Sequence, residues 1–121
     1  MEDKIDNHIY SIGTIVKRAA EILEIKRPIV VQWTDSIRGR AYVHEGIIAI
    51  PTKALEQGPY YLVYYIVHEL CHVVMPSSKR HGKKFKDLEG RTLKEFGIDV
   101  EYTNAYPKKI FHKGQVVFDI S

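Results

Sequence analysis

From Tyr60 to Met75 the chain runs without a glycine or proline and is almost wholly apolar or aromatic. Strands rarely sustain that length, so the stretch predicts a buried helix, bounded by Gly58 before it and Pro76 after it. His68, Glu69 and His72 are its strongly polar residues. Burying three such groups together is costly unless a metal or a full set of hydrogen bonds satisfies them.

These residues form the pattern His68-Glu69-Leu70-Cys71-His72, which sets two imidazoles one turn apart on the same helix face, where both can bind one ion. Neutral imidazole suits zinc at about 2.0 to 2.1 Å, and a catalytic zinc typically takes three protein ligands and leaves its fourth position to water. Zinc lowers the pKa of that water towards roughly 7, and the neighbouring carboxylate of Glu69 is the natural acceptor of its proton. The chemistry implied is amide hydrolysis, with one zinc per chain and a peptide or protein as substrate. For the third ligand, the residues leave a choice. His81 lies nine positions after His72, at the start of a further helix that can fold back over the first, and Glu89 and Glu95 on that helix carry carboxylates that zinc also accepts.

Around this helix the apolar periodicities predict an α+β domain. Ile9, Ile12, Val16, Ala19, Ala20 and Leu23 recur at helical spacings within Asn7 to Ile25, with Asp6 or Asn7 as N-cap. Ile29 to Trp33 is β-branched and aromatic, and reads as a strand that turns at Asp35-Ser36. Arg40 to His44 and Ile47 to Ile50 read as two more strands joined by Glu45-Gly46, with Pro51 closing the second. Ser77 and Ser78 are N-cap residues for a helix through Phe85, Leu88, Leu93 and Phe96, ended by Gly97. In the remaining tail, Tyr106 to Lys109 looks like a turn, while Ile110-Phe111 and Gln115 to Ile120 can pair around Lys113-Gly114. The expectation is a single domain over residues 1–121, with a core at about 7–97 and a tail at 98–121. It comprises an N-terminal helix, a small three-stranded twisted sheet, the active-site helix and a following helix.

The bulk properties narrow the function classes. A length of 121 residues is ample for one core without staples. The lone Cys71 cannot make an internal disulfide, which fits a cytoplasmic enzyme, and no apolar run near Met1 suggests a signal peptide or membrane span. A net charge of +3 does not demand nucleic acid as a partner, and the cluster Lys79, Arg80, Lys83, Lys84 and Lys86 reads as the solvated face of a helix.

The run from Tyr65 to His72, followed by His81-Gly82-Lys83-Lys84-Phe85, resembles the SprT-like and YgjP-like zincin metallopeptidases. In those families an H-G-x-x-F or H-S-x-x-F segment supplies the third zinc ligand, which implies His81 here. Gly39-Arg40-Ala41-Tyr42 and Gly46 to Ile50 resemble the strand pair that precedes the active helix in these proteins and in minimal gluzincins, so the likeness spans roughly Arg38 to Phe96. Gluzincins proper would take a glutamate of the next helix instead, which implies Glu89. The resemblance also implies that Ala41 to His44 pairs with an extended substrate. Its SprT-like branch includes proteases acting on proteins attached to DNA, its YgjP-like branch brings in non-peptide hydrolysis, and short relatives that block their own cleft point to His112 as a latent ligand. The rivals are a DNA-associated protease, a hydrolase of small molecules and a catalytically silent zinc module. The sequence leaves the oligomeric state open.

Among other residues, Cys71 reads as a small core residue, His44 as an ordinary strand end, and Tyr60, Tyr61, Tyr64 and Tyr65 as packing. Tyr102 or Tyr106 is a candidate hydrogen-bond donor to an oxyanion.

Overall fold

A computed structural model describes residues 11–75, 82–103 and 106–120. His81, Lys79, Arg80, the Ser77-Ser78 cap, the Asp6 or Asn7 cap and the side chain of Tyr106 lie outside the described part.

Helix α1 spans Ile12–Ile22 and is capped by Ser11, whose hydroxyl accepts from the Thr14 N–H. It ends earlier than Ile25 because Glu24 turns left-handed at φ 58°, and the Ile25 N–H returns to the Ala20 carbonyl, as in a Schellman closure.

Strands β1 (Val30–Thr34), β2 (Arg40–Tyr42) and β3 (Ile47–Pro51) form one sheet in the order β1-β3-β2. β3 is central, parallel to β1 with Trp33 opposite Ile50, and antiparallel to β2 with Ala41 opposite Ile48. The β2–β3 pairing is the expected one, but the link is longer: β2 stops at Tyr42 and residues 43–46 turn. The carbonyls of Val43 and His44 accept from the Arg27 guanidinium, which draws them out of the ladder.

Pro51 leads into a 3₁₀ turn at Thr52–Gln57, and Gly58 at φ 100° redirects the chain into α2 (Pro59–Val74), with proline where its missing N–H costs nothing. This is the apolar helix expected at Tyr60 to Met75. Helix α3 (Lys83–Lys94) follows, and Gly97 takes the left-handed position after it.

The remaining chain is more ordered than the sequence suggests. Strands β4 (Ile98–Thr103), β5 (Tyr106–His112) and β6 (Gln115–Asp119) make a second antiparallel sheet in the order β4-β5-β6. The hairpin around Lys113-Gly114 is as expected, with both residues at positive φ as a primed turn requires. The expected turn at Tyr106 to Lys109 is instead the start of β5. Pro107 is tolerated there because it lies beside the register shift at Glu101/Tyr102, where the ladder is already broken.

One apolar cluster joins the layers: Ile15 and Ala19 of α1, Ile48 and Ile50 of β3, Ile66 and Leu70 of α2, Phe85 of α3, and Ile98 and Ile110 of the second sheet. Among the described residues no helix is long and apolar enough to cross a membrane.

Candidate active site

The buried positions of α2, including Val63, Ile66, Val67 and Leu70, commit one side of the helix to the core. The two turns between Tyr64 and His72 then present their polar residues between the first sheet and α3. The His68 and His72 rings stand 4.9 Å apart, centroid to centroid. Phe85 of α3 packs against both, at 5.3 Å from His68 and 4.6 Å from His72.

One turn beyond Phe85, Glu89 is 1% exposed and brings Oε1 to 2.6 Å from His68 Nδ1. Its other oxygen accepts from the Tyr102 hydroxyl of β4. Burial and the nearby Glu89 charge push the Tyr102 phenol above its ordinary range, so it stays a protonated donor. The Lys86 ammonium lies 5.0 Å from the centre of the Tyr102 ring. Tyr102 therefore serves Glu89, not a developing oxyanion.

Glu69 lies on the sheet side of α2, 4% exposed, against the start of β2. Burial is the main cause that raises its carboxyl from an ordinary 4.5 to about 7; His68 pulls it down and Glu89 pushes it up. Such a group can both take and return a proton near neutral pH. The Gly39 N–H donates to the Tyr65 hydroxyl at 3.0 Å. Beside His68 an open cleft of about 170 Å³ is lined by Ile37, Lys53, Tyr61, Tyr64, Tyr65 and Pro107.

The structure thus brings together three of the expected site residues, His68, Glu69 and His72, while His81 lies outside the described part. Glu95 is the exposed C-cap residue of α3, more than one turn beyond Glu89. His112 stacks on Tyr60, with centroids 4.5 Å apart. Tyr60 precedes His68 by eight helical residues, about 12 Å, so His112 is not seated at the imidazoles as a latent ligand. Cys71 is fully buried with its thiol pushed up by burial, as a core residue should be. His44 is exposed in the β2–β3 turn. Sequence reasoning missed Gly39 as the wall of Glu69 and treated Tyr65 as packing alone. Neither role has a local signal, because both depend on β2 meeting α2.

Among the described residues no three histidine, cysteine or acidic side chains converge as a metal-binding group. Two adjacent imidazoles, one oriented by a buried carboxylate, nevertheless form a donor pair whose chemistry suits zinc once a third ligand joins them.

The fold is metallopeptidase-like. Its architecture is similar to that of the metallopeptidase zymogen abylysin of Pyrococcus abyssi, with a TM-score of 0.58 and 22% identity over 70% of this chain and 87% of that one. No protein-family model and no curated protein matches the sequence.

Proposed function

We propose that this chain is a zinc-dependent peptidase of the SprT-like kind, in which His68, His72 and His81 hold the metal and Glu69 is the general base. The observation that carries this reading is the placement of His68, buried Glu69 and His72 on one helix beside an open cleft, within a metallopeptidase fold. Zinc, when bound, supplies a Lewis acid for the scissile carbonyl and acidifies a water.

The protein's own groups do the rest. The Glu69 carboxylate accepts the proton that the attacking water loses as its oxygen bonds to the carbonyl carbon. It then delivers that proton to the nitrogen as the C–N bond breaks, so the base is regenerated. β2 is an edge strand, and its outer side offers main-chain groups to an extended peptide. That role belongs to Arg40–Tyr42, since residues 43–46 are taken up by the turn. The cleft beside His68 receives a substrate side chain, with the exposed Lys53 at its wall. A peptide or protein is the substrate, and the buried lone thiol suits a cytoplasmic home.

The test combines metal content with hydrolysis of a quenched peptide library by the zinc-loaded chain. We expect one zinc per chain and turnover, with Glu69→Gln keeping the zinc and losing activity by a factor of about 10² or more. Full activity in Glu69→Gln, or no zinc after reconstitution, would overturn the reading.

A further inference from the structure

Resting on the zinc reading above, we propose that Glu89 is not a metal ligand but the residue that orients His68, and that Tyr102 of β4 is a second positioning residue acting through it.

The ring nitrogens of a histidine divide their work. Nδ1 of His68 is engaged by Glu89 at 2.6 Å, which makes Nε2 the nitrogen available to a metal. A carboxylate on Nδ1 fixes the tautomer that carries its proton there, prevents ring rotation and makes the other nitrogen a stronger donor. A third ligand would meet the ion on the Nε2 side of the ring, whereas Glu89 Oε1 meets Nδ1 and its Oε2 is taken by the Tyr102 hydroxyl.

Burial strengthens the assignment. A carboxylate that is 1% exposed needs strong partners for its charge, and both Glu89 oxygens have them: Oε1 meets His68, and Oε2 accepts from the Tyr102 hydroxyl. Each bond restricts the carboxylate differently. The first aims it at the ring, and the second stops it from swinging away. Phe85, one turn earlier on α3, packs against the rings of both His68 and His72. The orienting contact is therefore braced by α3 and β4 together, and the second sheet enters the geometry of the metal ligand.

The experiment uses the full chain and measures zinc affinity by competition with a chelator, the absorption spectrum of the cobalt-substituted protein, and melting of the metal-free form. Glu89→Gln should still bind one metal per chain, with affinity lower by about 10–100-fold and the four-coordinate cobalt spectrum retained. Tyr102→Phe should lower zinc affinity by several-fold to about 10-fold, and in a Glu89→Ala background it should bring no further loss.

Loss of stoichiometric zinc in Glu89→Gln, with retention in His81→Ala, would make Glu89 a ligand and overturn the proposal. A Tyr102→Phe chain that melts earlier but binds zinc as tightly as the parent would reduce Tyr102 to a structural role and also overturn it. If Glu89→Gln does not fold, the Tyr102→Phe affinity decides. In both overturning cases the parent still binds zinc, so the zinc-peptidase reading survives, with Glu89 replacing His81 as the third ligand in the first case. A parent chain that takes up no zinc fails that reading first, and this inference with it.

Discussion

The Cα of Gly39 is held so close to Glu69 that a β-carbon there would lie 2.8 Å from Glu69 Oε2, 2.8 Å from the Ala49 carbonyl oxygen and 2.5 Å from the Tyr65 ring. Two of these neighbours are side chains of α2 and the third is backbone of the central strand, so room for the β-carbon comes only by moving the Glu69 carboxyl, the Tyr65 ring and the sheet. Gly39→Ala is therefore expected to keep one zinc per chain and to lower kcat by about 10²-fold, with a smaller change in KM. Steady-state kinetics with metal analysis on the same preparation checks this. An alanine variant as active as the parent would show that the wall has slack.

The raised Glu69 carboxyl links protonation to folding. Its folded value of about 7 exceeds the ordinary 4.5, so the folded state holds the proton more tightly than the unfolded chain. The stability this contributes is fully present below about 4.5 and is lost as pH rises through about 7. Chelated, metal-free protein should lose stability relative to Glu69→Gln across that window, by up to the order of 3 kcal/mol. Denaturant melts of both proteins at pH 4.5 and 8 measure the difference. Parallel pH profiles would rule out Glu69 as the group responsible.

Ile110 of β5 is fully buried in the cluster that contains Ile66 and Leu70 of α2. Ile110→Ala should cost about 2–5 kcal/mol and leave unfolding a single transition, whether followed by tyrosine fluorescence or by circular dichroism. A cost within about 0.5 kcal/mol, the range of ordinary surface changes, would mean that the second sheet is dispensable to the core.

Cys71 should behave as packing. Its thiol is fully buried and its pKa is pushed upward, so alkylation by iodoacetamide should be negligible until the chain unfolds. Cys71→Ala should retain zinc and activity with a stability loss of about 1–2 kcal/mol. Rapid labelling of the native chain, read by intact-mass measurement, is the contrary outcome.

Much of the fold was legible in local patterns. The apolar run at Tyr60 to Met75 corresponds to Pro59–Val74, the strand at Ile29 to Trp33 to Val30–Thr34, and Lys113-Gly114 forms its hairpin turn. The failures share one cause. Pro107 and the residues around it carry turn chemistry, yet they become a strand because β4 offers a register shift where a missing N–H is tolerated. The expected two-residue link at Glu45-Gly46 lengthened because Arg27, distant in sequence, captured the carbonyls of Val43 and His44.

By itself the sequence determined the helix on which His68 and His72 share a face, with Glu69 beside the first of them, since the i, i+4 relation belongs to any helix and needs no other part of the chain. Only the tertiary structure decided the surroundings of those residues. Gly39 meets Tyr65 across 26 positions of sequence, His68 meets Glu89 across 21, and Glu89 meets Tyr102 across 13. Such contacts have no periodicity to betray them. They arise when sheet, helix and tail pack around two buried carboxyl groups, Glu69 and Glu89, which must find partners wherever the fold brings them.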